Sequence, residues 1–257
     1  MVSKWFSRIY SGLILLFLYA PIVVLMVFSF NDSKSTSSWD GFSLRWYVEL
    51  FEDERMQTAF FYTILVAIIA TIISTLIGTV AAIGIFKLTK RSQALVLNIN
   101  YLPVISPDIV IAVALMGLFL SFNMDFGFMT MLLSHVMFSI PYVILAVLPR
   151  LYGMNPNLAE AAMDLGATPM QAIRKVVIPE ILPGILSGAL IAFTMSIDDF
   201  VISYFTTGNG VTNLSIEVYS MARRGIRPTV NALATIMVSI VLVGVIVVNK
   251  YQKRQEQ

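Results

Sequence analysis

The sequence predicts an all-α membrane protein that crosses the bilayer about six times. Hydrophobic residues make up 58% of the 257-residue chain, and charged residues make up only 12%. The mean hydropathy of +0.82 is well above that of a water-soluble domain of this length. Because a spanning helix needs roughly 20 apolar residues, the chain has room for such helices and short loops but not for a large soluble domain.

Apolar runs define the candidate spans of a single transmembrane domain over residues 1–257. The first run follows Lys4 and Arg8 as a signal peptide would, but it is too long and lacks a small-residue cleavage site, so we expect an uncleaved helix. The runs cover residues 9–30, 57–86, 93–122, 128–149, 181–205 and 231–249.

A short amphipathic helix along the membrane surface is predicted between the first two spans. Apolar residues recur there at i, i+3, i+4 and i+7, which is the spacing of one helix face. These residues are Leu44, Tyr47, Val48 and Phe51.

The distribution of Lys and Arg predicts that both termini are cytoplasmic. If the N-terminus is inside, the cytoplasmic segments carry most of the positive residues, as the positive-inside rule requires. They carry Lys4, Arg8, Lys87, Lys90, Arg91, Arg150, Arg174, Lys175, Lys250, Lys253 and Arg254, whereas the outer segments carry Lys34, Arg45, Arg55, Arg223, Arg224 and Arg227. We therefore expect a multi-pass protein of the plasma or inner membrane.

The residue inventory excludes several kinds of chemistry. The chain has no cysteine, which removes disulfides, thiolate metal sites and cysteine nucleophiles, and we expect neither catalytic residues nor a metal site. The single histidine, His135, lies in an apolar run and is expected to hydrogen-bond inside the helix bundle. A net charge of +2 is too small to indicate a nucleic-acid partner. No G-x-x-x-x-G-K-[ST] segment occurs, so the chain itself is not expected to hydrolyse ATP.

The longest cytoplasmic loop, residues 150–184, begins with the signals of a short helix. Asn155 can cap this helix, with Pro156 at a position that needs no N–H. Gly166 then supplies the left-handed conformation that ends a helix at little cost.

A second helix signal follows the glycine. Thr168 and Gln171 have the spacing of a capping box. Pro179 and Pro183 are expected to mark the turn back into the membrane. Capping chemistry alone would fit an ordinary helical hairpin between two spans equally well.

The spacing within this loop is more specific than its capping chemistry. It resembles the EAA loop of the permeases of ATP-binding-cassette importers, whose pattern is E-A-A-x3-G-x9-I-x-L-P. The matching positions are Glu160, Ala161, Ala162, Gly166, Val176, Ile178 and Pro179. Val176 and Ile178 replace the usual Ile and Leu by conservative apolar exchange.

The resemblance implies the type I importer permease (MetI-like) fold, with six transmembrane helices and a cytoplasmic coupling-helix loop. In that family the first short helix of the loop docks into a groove of a separate ATPase subunit. Small residues would permit close packing there, and acidic residues would offer polar contacts. The candidate coupling residues are Glu160, Ala161, Ala162, Asp164 and Gly166.

Other segments resemble the polyamine (spermidine/putrescine) permeases of this family. They cover residues 41–51, 106–115, 196–208 and 218–236. The resemblance implies a polyamine substrate, a homologous second permease, two ATPase subunits that bind ATP and Mg, an extracytoplasmic polyamine-binding protein, and a surrounding of membrane lipid. It implies no cofactor on this chain.

Asp108 is the first candidate for the substrate pathway. A charged side chain near the bilayer centre costs at least about 2.5 kcal/mol, so it requires a partner or a function. Asp108 follows Pro103 and Pro107, which interrupt a helix and create irregular backbone that is tolerated only beside protein or a water-filled cavity. Asp108 can cap the resumed half-helix, line the pathway, or do both.

Asp198 and Asp199 are the next candidates. At 100° per residue, Asp198 shares a helix face with Thr194, whereas Asp199 faces the side of Ser196 and Ser203. We therefore assign Asp198 and Thr194 to the pathway and give Asp199 the more structural role. The alternative is an ion pair with Arg223, Arg224 or Arg227.

Aromatic residues complete the candidate pathway. Tyr204 and Tyr219 are expected mainly to pack or to anchor at the membrane interface, but their rings can also offer cation–π faces to an ammonium group.

Three alternative functions fit only part of the sequence. An intramembrane aspartic protease would pair Asp108 with Asp198, but neither residue lies in a G-x-G-D context and the loop would be unexplained. An ATP-independent carrier would also leave the loop without a role. A permease for another small solute is the remaining alternative.

Overall fold

The computed structural model describes residues 4–34, 38–155, 157–208, 210–224, 228–239 and 242, most of which are helical. Within these ranges the β structure is limited to one bridge between Asn31 and Phe42. The helices are α1 Lys4–Phe28, α2 Arg45–Glu52, α3 Glu54–Phe86, α4 Lys90–Ile105, α5 Asp108–Ser121, α6 Phe128–Gly153, α7 Leu158–Asp164, α8 Pro169–Ala172, α9 Ile178–Asp198, α10 Val201–Thr206, α11 Leu214–Arg224 and α12 Pro228–Ser239. The all-helical prediction is confirmed.

The chain divides into two compact units. The first unit comprises residues 1–57 and 218–257, and the second comprises residues 58–217. The prediction of one continuous transmembrane domain stays a prediction.

In the first unit, Asn31 organises the segment between α1 and α3. Its Nδ2 donates to the backbone oxygen of Ser38 at 2.6 Å, and its Oδ1 accepts from the backbone N–H of Asp40 at 2.9 Å. Its own backbone oxygen accepts from Nε1 of Trp46 at 2.6 Å, which satisfies the indole of this buried side chain. These hydrogen bonds tie Asn31 to residues 38–46, directly before and within the first turn of α2.

The predicted amphipathic helix is present as α2. Trp46 and Leu50 form its buried side, whereas Leu44, Val48 and Phe51 are each more than half exposed. Tyr47, the fourth residue of the predicted apolar face, is half-buried, with its ring centroid 5.3 Å from that of Phe30. The other three residues of the face are mostly exposed, as expected for a helix at a membrane surface.

In the second unit, α6 lies at the centre and packs closely against α9 and α3. A Cβ at Gly188 would lie 3.2 Å from Cα of Val143, and a Cβ at Gly78 would lie 2.7 Å from Cβ of the same valine. Small residues at such contacts let helix backbones approach closely, which is how membrane helices associate without a hydrophobic driving force.

By length and composition, four described helices can cross a membrane. They are residues Arg8–Phe28, Glu54–Phe86, Phe128–Gly153 and Pro169–Asp198, and the bent pair α4–α5 makes a fifth span if it is counted as one. About half of the predicted sixth span, residues 231–249, lies outside the described residues, so the count of six stays a prediction.

Two of the predicted spans are broken. The run 93–122 is interrupted between Ile105 and Asp108, where α4 and α5 meet at 106°. The run 181–205 is interrupted after Asp198, where the backbone of Asp199 becomes extended (φ −63°, ψ 125°). A single helical wheel therefore cannot predict which side chains share a face on opposite sides of either break.

The predicted turn at Pro179 and Pro183 is wrong. A π-helical turn, Ile173–Val177, joins α8 directly to α9, so the helix runs on from Pro169 to Asp198. Pro179 and Pro183 both lie within this continuous helix, and the π-helical turn directly before Pro179 is the kind of local adjustment that accommodates a missing N–H.

Candidate functional site

A cavity of about 360 Å³ in the second unit lies beside the two helix breaks. The α4–α5 break, the middle of α6 and the α9–α10 break all contribute to its wall. The lining residues are Pro103, Asp108, Ile111, Phe138, Tyr142, Met195, Asp198, Asp199, Phe200, Val201 and Ile202. The fold thus places irregular backbone around a cavity, which is the setting in which a membrane protein tolerates it.

The cavity is acidic. Asp108, Asp198 and Asp199 all border it, and the carboxylates of Asp108 and Asp199 are near enough to Asp198 to interact with it electrostatically. None of the described residues that line the cavity is Lys or Arg. Since unpaired carboxylates are costly in a membrane, this arrangement suits a cationic ligand.

The part of the chain that the structure describes holds no His, Asp and Glu cluster suited to a metal ion.

Asp108 opens helix α5. Pro107 occupies the N-cap position, and no side-chain cap hydrogen bond forms there. The carboxylate of Asp108 is exposed on the cavity side and interacts electrostatically with Tyr142 on α6.

Asp198 and Asp199 differ in what holds them. Asp198 is the last residue of α9 and is exposed. The side chain of Asp199 is only 9% exposed, and its carboxylate accepts from the backbone N–H of Ile202 at 3.2 Å and of Ser203 at 2.7 Å. Asp199 therefore holds the first turn of α10, while Asp198 is the freer carboxylate at the same break.

The alternative partners of these carboxylates lie partly outside the described residues. Arg223 lies over the ring of Tyr219, with its guanidinium carbon 5.9 Å from the ring centroid. The side chain of Arg224 and the whole of Arg227 are not among the described parts of the chain.

The other candidate pathway residues do not line the cavity. The hydroxyl of Thr194 donates to the backbone oxygen of Leu190 at 2.8 Å, and its side chain is exposed elsewhere on α9. Tyr204 is half exposed and packs between Phe200 and Phe205. Tyr219 belongs to the first unit. Their roles stay predictions.

Sequence reasoning missed Tyr142 and Phe138 as cavity residues. Both lie in the apolar run of α6, whose composition gives no sign of which face meets the cavity.

His135 on the same helix was expected to hydrogen-bond within the bundle, and this is confirmed by its bonds to Ser196 and Ser203.

The elbow predicted between α7 and α8 is confirmed. Gly166 has φ +91°, which a residue with a Cβ rarely adopts. Thr168 and Gln171 form the capping box, with the N–H of Gln171 donating to Oγ1 of Thr168 at 3.3 Å and the N–H of Thr168 donating to Oε1 of Gln171 at 2.9 Å. These bonds span only four residues, which is why the sequence predicts them.

The predicted cap of the first loop helix is wrong by two residues. Helix α7 begins at Leu158, and Oδ1 of Asn155 accepts from the N–H of Asn157 at 3.0 Å in the turn before it. Pro156 lies outside the described residues.

Helix α7 presents both polar and apolar side chains on its surface. Glu160, Ala161 and Asp164 are exposed, Ala162 is half-buried, and Leu165 is 91% exposed. These exposed side chains leave one surface of the loop uncovered by the described part of the chain.

Comparison with known proteins agrees with this architecture. The family described as "Binding-protein-dependent transport system inner membrane component" matches residues 74–257. The spermidine/putrescine transport system permease protein PotC of Haemophilus influenzae is 37% identical over 246 residues, covering 95% of this chain and 96% of the relative. The putrescine transport system permease protein PotI of Escherichia coli is 38% identical over 239 residues, covering 90% of this chain and 85% of the relative.

Solved structures share the fold. A chain of a bacterial ABC transporter involved in the import of alginate matches with a TM-score of 0.73 and 17% identity, covering 98% of this chain and 95% of that one. A chain of the MetNI methionine ABC transporter matches with a TM-score of 0.60 and 20% identity, covering 80% and 99%. The chain therefore belongs to the binding-protein-dependent transport system inner membrane components and is an all-helical, multi-pass permease subunit with the type I ABC importer fold.

Proposed function

We propose that this permease subunit imports polyamines, forms half of the translocation pathway and is driven by ATPase subunits that dock on its cytoplasmic loop. The observation that carries the proposal is the cavity bordered by Asp108, Asp198 and Asp199 with no Lys or Arg among its described lining residues. The names of the relatives PotC and PotI support the substrate class.

The chemistry of the cavity matches a polyamine. A polyamine carries several ammonium groups on a flexible apolar chain, and leaving water costs each charge its hydration. Carboxylates offset that cost by direct attraction, and the nearby rings of Phe138, Tyr142 and Phe200 offer cation–π faces. A site with both kinds of group can bind the ammonium groups and still contact the methylene segments.

The energy source lies on another subunit. The sequence has no phosphate-cradling loop, so ATP and Mg belong to a partner ATPase and this chain carries no cofactor of its own. The exposed face of α7, with Glu160, Ala161, Asp164 and Leu165, is the docking surface for that partner. The elbow at Gly166 fixes the direction in which the chain leaves α7, and it therefore sets the orientation of this face.

The assembly needs three kinds of protein partner. A homologous second permease closes the pathway, two ATPase subunits bind from the cytoplasm, and an extracytoplasmic binding protein delivers the polyamine. Membrane lipid surrounds the spans, and both termini are cytoplasmic. The solved alginate transporter in complex with its substrate-bound periplasmic protein has the fold of this chain, which supports an assembly of this kind.

Uptake of labelled spermidine and putrescine by the reconstituted complex tests the proposal. We expect ATP-dependent uptake by the unmodified complex, and loss of most of it in Asp198→Asn with normal assembly and unchanged basal ATPase activity. The loss follows because the amide keeps the shape of the carboxylate but removes the attraction to the ammonium groups. Asp108→Asn is expected to show a similar but milder loss.

Two further variants serve as controls for charge and for position. Asp198→Glu preserves the charge and should retain much of the uptake, and Asp125→Asn removes an exposed carboxylate that does not line the cavity. Near-normal uptake by Asp198→Asn, normalised to complex recovered from membranes, would remove this residue from the pathway. Uptake of an unrelated solute but of neither polyamine would favour the alternative of a permease for another small molecule.

A further inference from the structure

A buried hydrogen-bond network lies directly behind the acidic cavity. His135 on α6 is 1% exposed, and its two ring nitrogens contact hydroxyls on two other helices. Nδ1 lies 2.6 Å from Oγ of Ser196 on α9, and Nε2 lies 2.9 Å from Oγ of Ser203 on α10. The imidazole therefore bridges the two helices that meet at the break between Asp198 and Val201.

The hydroxyl of Ser203 is the centre of the network. Its Oγ lies 2.7 Å from Oδ2 of Asp199, 2.8 Å from Nδ2 of Asn213 and 2.9 Å from Nε2 of His135. A hydroxyl donates one hydrogen bond and accepts up to two, so these three partners use its full capacity.

The orientation of Asn213 follows from its other contacts. Its Oδ1 accepts from the backbone N–H of Ile216 at 2.9 Å, and its Nδ2 donates to the backbone oxygen of Asp199 at 3.0 Å. Its amide nitrogen is therefore the atom that faces Ser203, and it can only donate. The carboxylate of Asp199 can only accept, so the single proton of Ser203 goes to Asp199.

Only one role then remains for the imidazole. The second lone pair of Ser203 has to receive a proton from Nε2 of His135. Nε2 also lies 3.6 Å from Oδ2 of Asp199. In a neutral ring Nδ1 is then the acceptor, and the hydroxyl of Ser196 donates to it. This arrangement satisfies every polar atom in a cluster whose members Ser196, Ser203 and Asn213 are each no more than 2% exposed.

The network also controls the backbone at the break. The carboxylate of Asp199 holds the first turn of α10, while its backbone oxygen is held by Asn213. The backbone oxygen of Asp198 accepts from Oγ of Ser215 at 3.3 Å. The direction in which Asp198 leaves the end of α9 thus depends on groups tied to the same cluster.

We propose that His135 is a positioning residue for the substrate pathway, held as the neutral tautomer with its proton on Nε2. By donating that proton to Ser203 it fixes the carboxylate of Asp199 and the α9–α10 break, and so it presents Asp198 to the cavity. The link to transport rests on the proposed function of the cavity. The proton assignment rests only on the contacts given above.

The proton assignment has a direct spectroscopic test. His135 is the single histidine of this chain, so subtracting the ¹⁵N spectrum of a His135→Gln complex from that of the unmodified histidine-labelled complex isolates its ring nitrogens. We expect one protonated nitrogen, assigned to Nε2, and one unprotonated nitrogen, assigned to Nδ1. A proton on Nδ1 would mean that Ser203 donates to the histidine, and two protonated nitrogens would mean an imidazolium. Either result overturns the proposal.

The positioning role is tested by two substitutions of the same residue. A glutamine amide reaches about as far as Nε2 of imidazole and can donate to Ser203, whereas an asparagine amide ends near the position of Nδ1 and cannot. We expect the maximal polyamine uptake rate of His135→Gln to stay within about twofold of the unmodified complex and that of His135→Asn to fall about tenfold, because one buried donor is missing. Ser134→Ala is the control, since its buried hydroxyl on the same helix donates only to the backbone of Thr130.

The outcomes separate this proposal from the function of the cavity. Equal losses in His135→Gln and His135→Asn at equal complex recovery would show that ring shape alone matters and would overturn the positioning role. If His135→Asn does not assemble, the ¹⁵N spectrum of the unmodified complex still decides the proton assignment. Normal uptake by Asp198→Asn together with an Nε2 proton would reject the function of the cavity while leaving the tautomer in place.

Discussion

Single carboxylates in this protein have different physical roles although they are neighbours in sequence. Asp199 accepts three hydrogen bonds, from two backbone N–H groups and the hydroxyl of Ser203, whereas Asp198 is exposed at the end of α9. A carboxylate that holds a helix start contributes to stability. We propose that the exposed carboxylate in the acidic cavity attracts the ligand instead.

Asp199→Asn is expected to lower the stability of the complex. The amide keeps one oxygen that can accept a hydrogen bond, but an NH₂ group replaces the other oxygen. A group that donated to the replaced oxygen loses its acceptor, which lowers the free energy of unfolding by about 1 kcal/mol. The apparent midpoint of thermal unfolding of the purified complex should fall for Asp199→Asn and change little for Asp198→Asn. Equal midpoints for the two variants would contradict the structural role of Asp199.

Among the structural elements, the loop that contains α7 and α8 combines a glycine elbow with an exposed face. The left-handed backbone at Gly166 ends α7, and the capping box at Thr168 starts α8 directly afterwards. Helix α8 continues through the π turn into α9, and together they form the candidate span Pro169–Asp198. A movement of α7 would therefore be passed to this span through only a few residues. The sharp turn of this loop therefore depends on one residue type, glycine.

Gly166→Ala is expected to reduce the coupling of ATP hydrolysis to uptake. A Cβ at this backbone conformation costs roughly 1–2 kcal/mol, which the loop relieves by changing the direction of α7. Gly153→Ala is the matched control, because it adds the same methyl group near the same loop at a position with open space and no positive φ. Substrate-stimulated ATPase activity and uptake should fall together for Gly166→Ala only. Full coupling in both variants would show that the elbow does not aim the docking face.

For the molecule as a whole, the balance of charge governs orientation more than folding. Most of the Lys and Arg residues lie on the side predicted to be cytoplasmic, including Lys87 after α3 and Lys90 and Arg91 at the start of α4. The loop between α5 and α6 contains Asp125 and no basic residue. The positive-inside rule orients the chain by such differences in short loops.

Cysteine labelling is expected to confirm this orientation. The chain has no cysteine, so a single introduced thiol gives no background from this subunit. Asp125→Cys should react with a membrane-impermeant maleimide added to intact cells or spheroplasts, and Lys90→Cys should react only after the membrane is opened. The reverse pattern would place the α7 surface on the outside, where no ATP-driven partner could reach it.

Much of this fold could be predicted from the sequence, because it depends on composition and on residues that lie close together in the chain. Composition alone indicates membrane helices, because no other structure buries such a long apolar chain. The elbow at Gly166 and the capping box at Thr168 depend on residues within one or two turns, so their spacing predicts them. The same holds for α2, whose apolar residues recur at helical spacing.

Non-local packing decided the rest. The helical wheel predicts that Thr194 and Asp198 share a face of α9, but Thr194 does not line the cavity, and the role of its side chain stays a prediction. Asp108 and Tyr142, which do line the cavity, come from other helices. The sequence by itself determined the class of protein, the loop and the acidic residues, because these follow from composition and short-range spacing. Only the tertiary structure decided which carboxylates meet and how His135 holds one of them, because those contacts join helices that are far apart in the chain.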